Sequence, residues 1–295
     1  MTGILISTFD KYEPLARWTA KQIAIQWPEH PPLFFSGLTS HDPQSLRFSG
    51  DTGDWMAVTL HAVQALRMRG FTHAYLILDD HPPVGPCHKN FLNHQLPALA
   101  ADLGAVFIGL LGYGQHRSVE GEVLEKKGFL ERCRSDYRWK FSLHPGLWNL
   151  EALELLLKRR MELYCGSART PWNFERHRDD PNDAIVGPMM ESCFRVSGKH
   201  FLKNRTKMQW QIFVEMMERF IADILIYRAK KKDGATARDK VEQKLLWRYG
   251  HYLGPYPLFW SGVMQQGQAH AGFEQWLQKP GNKSLLASWL HHVNG

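Results

Sequence analysis

Through the first half of the chain, short apolar runs alternate with stretches whose apolar residues recur every three or four positions. That order gives a mainly parallel sheet covered by helices. Gly3 to Ser7 predicts the first strand. Pro14 to Gln26 predicts a helix with Leu15, Trp18, Ile23 and Ile25 on one face and a proline suited to its first turn. Leu33-Phe34-Phe35 predicts a second strand, followed by a loop rich in Ser, Gly and Asp through Asp54. Trp55, Val58, Leu60, Val63, Leu66 and Met68 mark a second helix that Gly70 ends. Tyr75 to Leu78 predicts a strand, Phe91 to Leu103 a helix, and Ala105 to Leu111 a strand, with a long excursion from Gly112 to Arg134. Beyond it the pattern predicts a strand over Trp139 to Leu143, a turn at His144-Pro145-Gly146 and a helix from Leu147 to Tyr164. Ala184-Ile185-Val186 and Cys193 to Val196 look strand-like, and the chain from about Met208 looks helical throughout. The division expected is an α/β domain over 1–205 and a helical extension over 206–295.

One boundary in this pattern carries chemistry. Tyr75-Leu76-Ile77-Leu78 runs directly into Asp79-Asp80, and His81-Pro82-Pro83 stops the strand. Four consecutive apolar residues suit a strand buried on both faces, so two carboxylates emerge together at its carboxyl end. Ligands of open α/β sheets bind along that edge. Adjacent like charges there call for a hard divalent cation, a basic side chain or water.

Composition changes this picture little. The 295 residues are 44% hydrophobic and 22% charged, ordinary for a globular chain. Cys87, Cys133, Cys165 and Cys193 are widely spaced, without the C-x-x-C pattern of a zinc ribbon or redox motif, and are expected as reduced thiols. No apolar run approaches the roughly 20 residues that span a bilayer, and Met1 to Ser7 lacks a signal-peptide pattern, so a cytoplasmic chain is expected. A net charge of +7 favours polyanionic partners in general. The tail holds an apolar face, Trp210, Phe213, Met217, Phe220, Ile221 and Ile224, leading to Lys230-Lys231-Lys232. It suits packing onto the sheet, or contact with the inner face of a membrane.

Taken in order, Ser7-Thr8-Phe9-Asp10, Gly53-Asp54-Trp55, Leu78-Asp79-Asp80, Ser142-Leu143-His144-Pro145-Gly146-Leu147-Trp148 and Pro171-Trp172-Asn173-Phe174-Glu175 resemble bacterial GT-A-type glycosyltransferases over roughly residues 3 to 200. The resemblance implies a GT-A-like sheet with a nucleotide-diphosphate sugar across the strand ends. It also implies Mg²⁺ or Mn²⁺ held on the diphosphate by an acidic motif, matched here by Asp79 and Asp80. The usual Asp-x-Asp is replaced by Asp-Asp-His. Asp80 is the expected metal ligand and Asp79 the expected metal or ribose contact, with His81 either contributing or capping the turn. Glu175 falls where an inverting enzyme would keep its base. Thr8, Asp10 and Asp54 are candidates for the nucleoside, His144 and Trp148 for the acceptor side, and Lys140 for a phosphate. The donor implied is a UDP-sugar, and the acceptor a glycan or a lipid-linked glycan.

Each of these residues also has an ordinary structural use: an Asx turn for Thr8 and Asp10, an N-cap for Asp54, a first helical turn for Glu175, and core packing for Trp148. Two rival functions are weaker. A sugar nucleotidyltransferase would carry a Gly-rich phosphate loop where this chain has Ser7-Thr8-Phe9-Asp10-Lys11-Tyr12. A basic nucleic-acid-binding protein would show a zinc, RNP or helix-turn-helix signature, and none is present.

Overall fold

The computed structural model describes residues 1–110, 123–127, 130–133, 140–196, 251–252, 254–259, 262–265, 267–278 and 280–294. The Tyr75 to Leu78 run lies in a strand paired on both sides and buried on both faces. Ala74 and Leu76 enter one core cluster, and Tyr75 and Ile77 the other.

In chain order the elements of the first half are β1 (Thr2–Ser7), α1 (Glu13–Gln26), β2 (Leu33–Ser36), β3 (Ser45–Leu46), α2 (Trp55–Met68), β4 (His73–Leu78), α3 (Leu96–Asp102) and β5 (Phe107–Gly109). There follow β6 (Val123–Lys127), β7 (Leu130–Cys133), β8 (Gly146–Asn149), α4 (Leu150–Leu163), α5 (Pro171–Arg176), α6 (Val186–Glu191) and β9 (Cys193–Val196). These strands form one nine-stranded sheet in the order β3-β2-β1-β4-β8-β5-β9-β7-β6. The chain is therefore α/β, and its sheet is mixed. β3, β2, β1 and β4 run parallel, whereas β8 is antiparallel to both β4 and β5.

Helices cover both faces. α2, α4, α5 and α6 supply one cluster, with Val63, Leu66, Leu153, Leu157, Phe174 and Met190 among its buried residues. α1 and α3 supply the other, through Ala16, Ile23, Leu96 and Ala100. The apolar spacing that predicts α1 and α2 thus follows from faces buried against a sheet.

Several expectations differ from the fold. The strand expected at Trp139 to Leu143 is a turn at Lys140 and Phe141, and β8 follows it at Gly146–Asn149. Gly146 is there for a close approach and not for a turn, because a Cβ on it would lie 2.1 Å from Cε2 of Phe107. Ala184-Ile185-Val186 enters α6, where Asp183 Oδ1 accepts from the Ile185 and Val186 amides at 2.8 and 3.0 Å. The tail is not helical throughout: β10 (His251–Tyr252) pairs with β11 (Leu258–Phe259), and β12 (Met264–Gln265) with β13 (Gln268–Ala269). α7 (Ala271–Leu277) and α8 (Lys283–Asn294) follow them in sequence and enclose Trp18 of α1 with Phe273, Trp276 and Trp289. The helix expected over Trp210 to Ile224 lies outside the described residues. No helix among the described residues is long and apolar enough to cross a membrane.

Candidate active site

The strand order reverses at β1. The chain proceeds from β1 to β2 to β3 on one side, then resumes with β4 on the other side of β1. The carboxyl ends of β1 and β4, Ser7↔Leu78 in register, stand at that reversal, where α/β sheets open a crevice for ligands. Thr8 and Asp79 are the next residues on the two strands, and Thr8 Oγ1 donates to Asp79 Oδ2 at 2.6 Å. Thr19 of α1 donates to the Asp79 carbonyl, so helix and strand end are tied together.

The acids are not equivalent. Burial, and then the neighbouring charge of Asp80, push Asp79 from an ordinary 3.8 up to about 7, against the hydrogen bond from Thr8. Asp80 has a different partner: its Oδ1 lies 2.7 Å from His81 Nδ1. The His81 side chain is only 9% exposed. Burial works against a charged ring, but the bonded Asp80, with Glu175 and Asp79 beyond it, outweighs burial and holds His81 above its usual pKa. Its Nε2 is buried with no hydrogen-bond partner among the described residues. A buried orphan of this kind costs about 1–3 kcal/mol unless a ligand satisfies it.

From His81 the contacts run on to the far side of the site. The His81 and His144 rings meet edge to face, with centroids 5.2 Å apart. His144 Nδ1 is 2.9 Å from Ser142 Oγ, and Ser142 Oγ donates to Glu175 Oε1 at 2.9 Å. The Leu143 amide donates to the same oxygen at 3.1 Å. A serine has one proton to give, and Glu175 takes it, so His144 must donate through Nδ1. The His144 amide also donates to Ser142 Oγ, at 3.2 Å. Ser142 is therefore fully engaged as a bridge that orients Glu175. Thr170 caps α5 by accepting from Asn173 N, which sets the helix that carries Glu175. Glu175 Oε2 accepts from no donor among the described residues.

Thr8, Asp79, Asp80, His81, His144 and Glu175 thus form one group of contacts assembled from β1, β4, the turn before β8, and α5. Other candidates fall outside it. Both oxygens of Asp54 are used: Oδ1 caps α2 through Ala57 N at 2.9 Å, and Oδ2 meets Arg169 at 3.0 Å. The nucleoside role expected of Asp54 gives way to capping. Asp54→Ala is expected to cost about 1 kcal/mol of stability in denaturant unfolding while leaving any nucleotide-dependent rise in Tm unchanged. Trp148 is wholly buried against Phe107, Phe141 and Phe174, with no face for a sugar. Lys140, expected near a phosphate, is buried beside Cys193. Asp10 is exposed, and both its oxygens accept from Thr39, at 2.8 and 3.0 Å.

No protein-family model, curated protein or solved structure matches this chain. Among the described residues no three His, Cys, Asp or Glu side chains are grouped to hold a metal ion. Two adjacent carboxylates, one buried enough to retain its proton near neutrality, do fit a hard cation that takes its remaining ligands from phosphates and water. Ser142 lies in one of the runs that carry the resemblance, but its bridging role is not legible there because nothing local distinguishes a bridging serine. Val263 and Gly262, which also touch the acidic turn, escaped it because they arrive from a point far along the chain.

Proposed function

We propose that this chain is a glycosyltransferase that moves a sugar from a nucleotide-diphosphate donor to a glycan or lipid-linked glycan acceptor with inversion. The observation that carries the proposal is the convergence of Glu175 with Asp79-Asp80 at the reversal of strand order, linked through the His81–His144 contact. The two jobs such a transfer needs, holding a diphosphate and accepting a proton, are separated across one site.

Asp79 and Asp80 would hold Mg²⁺ or Mn²⁺, which when bound supplies positive charge to the leaving diphosphate. Burial and the neighbouring Asp80 hold the Asp79 carboxyl at about 7, so it would give up its proton readily to a bound cation. His81 Nε2 is a buried polar atom available to the ligand. On the opposite side, Oε1 of Glu175 is fixed by Ser142 and Leu143, which leaves Oε2 as the oxygen to take the proton of the acceptor hydroxyl. A UDP-sugar is the donor favoured by the sequence resemblance.

Thermal unfolding with UDP, GDP, CDP and dTDP, each with and without Mn²⁺ or Mg²⁺, tests the reading. One nucleotide with cation is expected to raise Tm, by about 2.7 kcal/mol of stability at a ligand concentration 100 times Kd. Failure of all four to stabilise the chain under any cation would dismiss it.

A further inference from the structure

The acidic turn has a second wall, supplied by the tail. Asp80 to Val84 is gripped by Tyr256, Pro257, Leu258 and Val263 through bonds distributed along its length. The Val263 amide donates to the Asp80 carbonyl at 2.8 Å, the buried Tyr256 hydroxyl donates to the His81 carbonyl at 3.0 Å, and the Val84 amide donates to Pro257 O at 2.8 Å. Pro83 forms a β-bridge with Leu258 of β11. Further on, the His88 amide donates to Pro255 O at 2.9 Å. The loop that bears the carboxylates is therefore shaped from outside the sheet.

Within this grip Gly262 has a special place. Its φ of +74° lies in the left-handed region that side chains disfavour. A Cβ on it would fall 2.4 Å from Oδ2 and 3.0 Å from Cγ of Asp80, and 3.3 Å from the Asp80 carbonyl oxygen. We propose that residues 255–258, 262 and 263 are part of the site, and that Gly262 is a positioning residue whose bare Cα lets the Asp80 carboxylate keep its place between the tail and His81. Any side chain at 262 would drive that carboxylate away from His81 Nδ1, now 2.7 Å away. The role of Asp80 toward a cation rests on the transferase reading; the Gly262–Asp80 contact does not.

A double-mutant cycle on thermal unfolding, without ligand, isolates the contact. The backbone strain of alanine at positive φ is common to both backgrounds and cancels, so only the clash with the carboxylate is left. Gly262→Ala is expected to lower Tm at least about twice as much in the parent chain as in Asp80→Ala. Equal losses in the two backgrounds, including failure to fold in both, would overturn the proposal by assigning the whole cost to strain. Folding of the double variant alone would support it.

Mn²⁺ alone, titrated by electron paramagnetic resonance, gives the readout that a purely structural role would not move. Gly262→Ala with parental circular dichroism is expected to bind Mn²⁺ about tenfold or more weakly, as when a group that orients a metal ligand is lost. Unchanged Mn²⁺ affinity in that variant would overturn the positioning role. A parent chain that binds neither Mn²⁺ nor any nucleotide would dismiss the transferase reading, while the cycle would still decide the contact.

Discussion

Glu175→Gln is expected to lower sugar transfer by about 10²–10⁴-fold, the usual contribution of a positioned general base, while leaving metal-dependent stabilisation by the donor nucleotide intact. The substitution is mild structurally. A glutamine carbonyl can still accept from Ser142 Oγ and the Leu143 amide, which now hold Oε1 at 2.9 and 3.1 Å. Thr170 still caps α5. What is lost is the ability to take a proton, and initial transfer rates against nucleotide-induced Tm shifts separate the two. A Glu175→Gln protein that transfers at the parental rate would remove Glu175 from the chemistry.

Asp79→Asn is expected to raise stability at alkaline pH. Folding raises the pKa of Asp79 from 3.8 to about 7, so the native state binds this proton more tightly than the unfolded chain does. The associated stability is fully present below about pH 4 and is lost as pH rises through 7. In the cation-free protein the ionised Asp79 is therefore a burden at pH 8. Asparagine keeps an oxygen for the Thr8 hydroxyl and removes the charge. It should stabilise the chain at pH 8 by about 2 kcal/mol, roughly half of what the full shift would give, allowing for solvent at the site. That corresponds to a rise in Tm of about 3 °C, shrinking toward zero at pH 4. The same variant should lose the metal-dependent response to nucleotide. Parallel Tm-versus-pH curves for the two proteins would contradict the burial of this charge. His81 reinforces the trend in both proteins, because its raised pKa contributes stability that is present below about 6.5 and lost at higher pH.

Much of this arrangement could be read from the chain because its signals are local. The Tyr75 to Leu78 run is unbroken because β4 is covered on both faces, and the same run places Asp79 and Asp80 at the strand end. The spacing of Trp55, Val58, Val63 and Leu66 reports a helix with one face in the core. The misreadings come from residues whose reasons are distant. Gly146 resembles a turn glycine until Phe107 is seen against it, and so β8 is read too early. Asp183 signals the start of α6 only when its bonds to the Ile185 and Val186 amides are known. Ser142 and Gly262 matter through single contacts with Glu175 and Asp80, and sequence periodicity cannot express a contact between positions 80 and 262.

The aromatic closure around α1 has a consequence for biosynthesis. Trp18 Nε1 donates to Ser288 Oγ across 270 positions of chain, and the ring meets Trp289 at 5.0 Å between centroids. At about 5–20 residues per second, α1 waits on the order of tens of seconds beside the ribosome before Trp289 exists to cover it. During that interval Leu15 and Trp18 offer an apolar surface to chaperones, and the acidic turn lacks the tail that grips it. A nascent chain halted short of Val263 would hold the sheet's first strands but not a finished site.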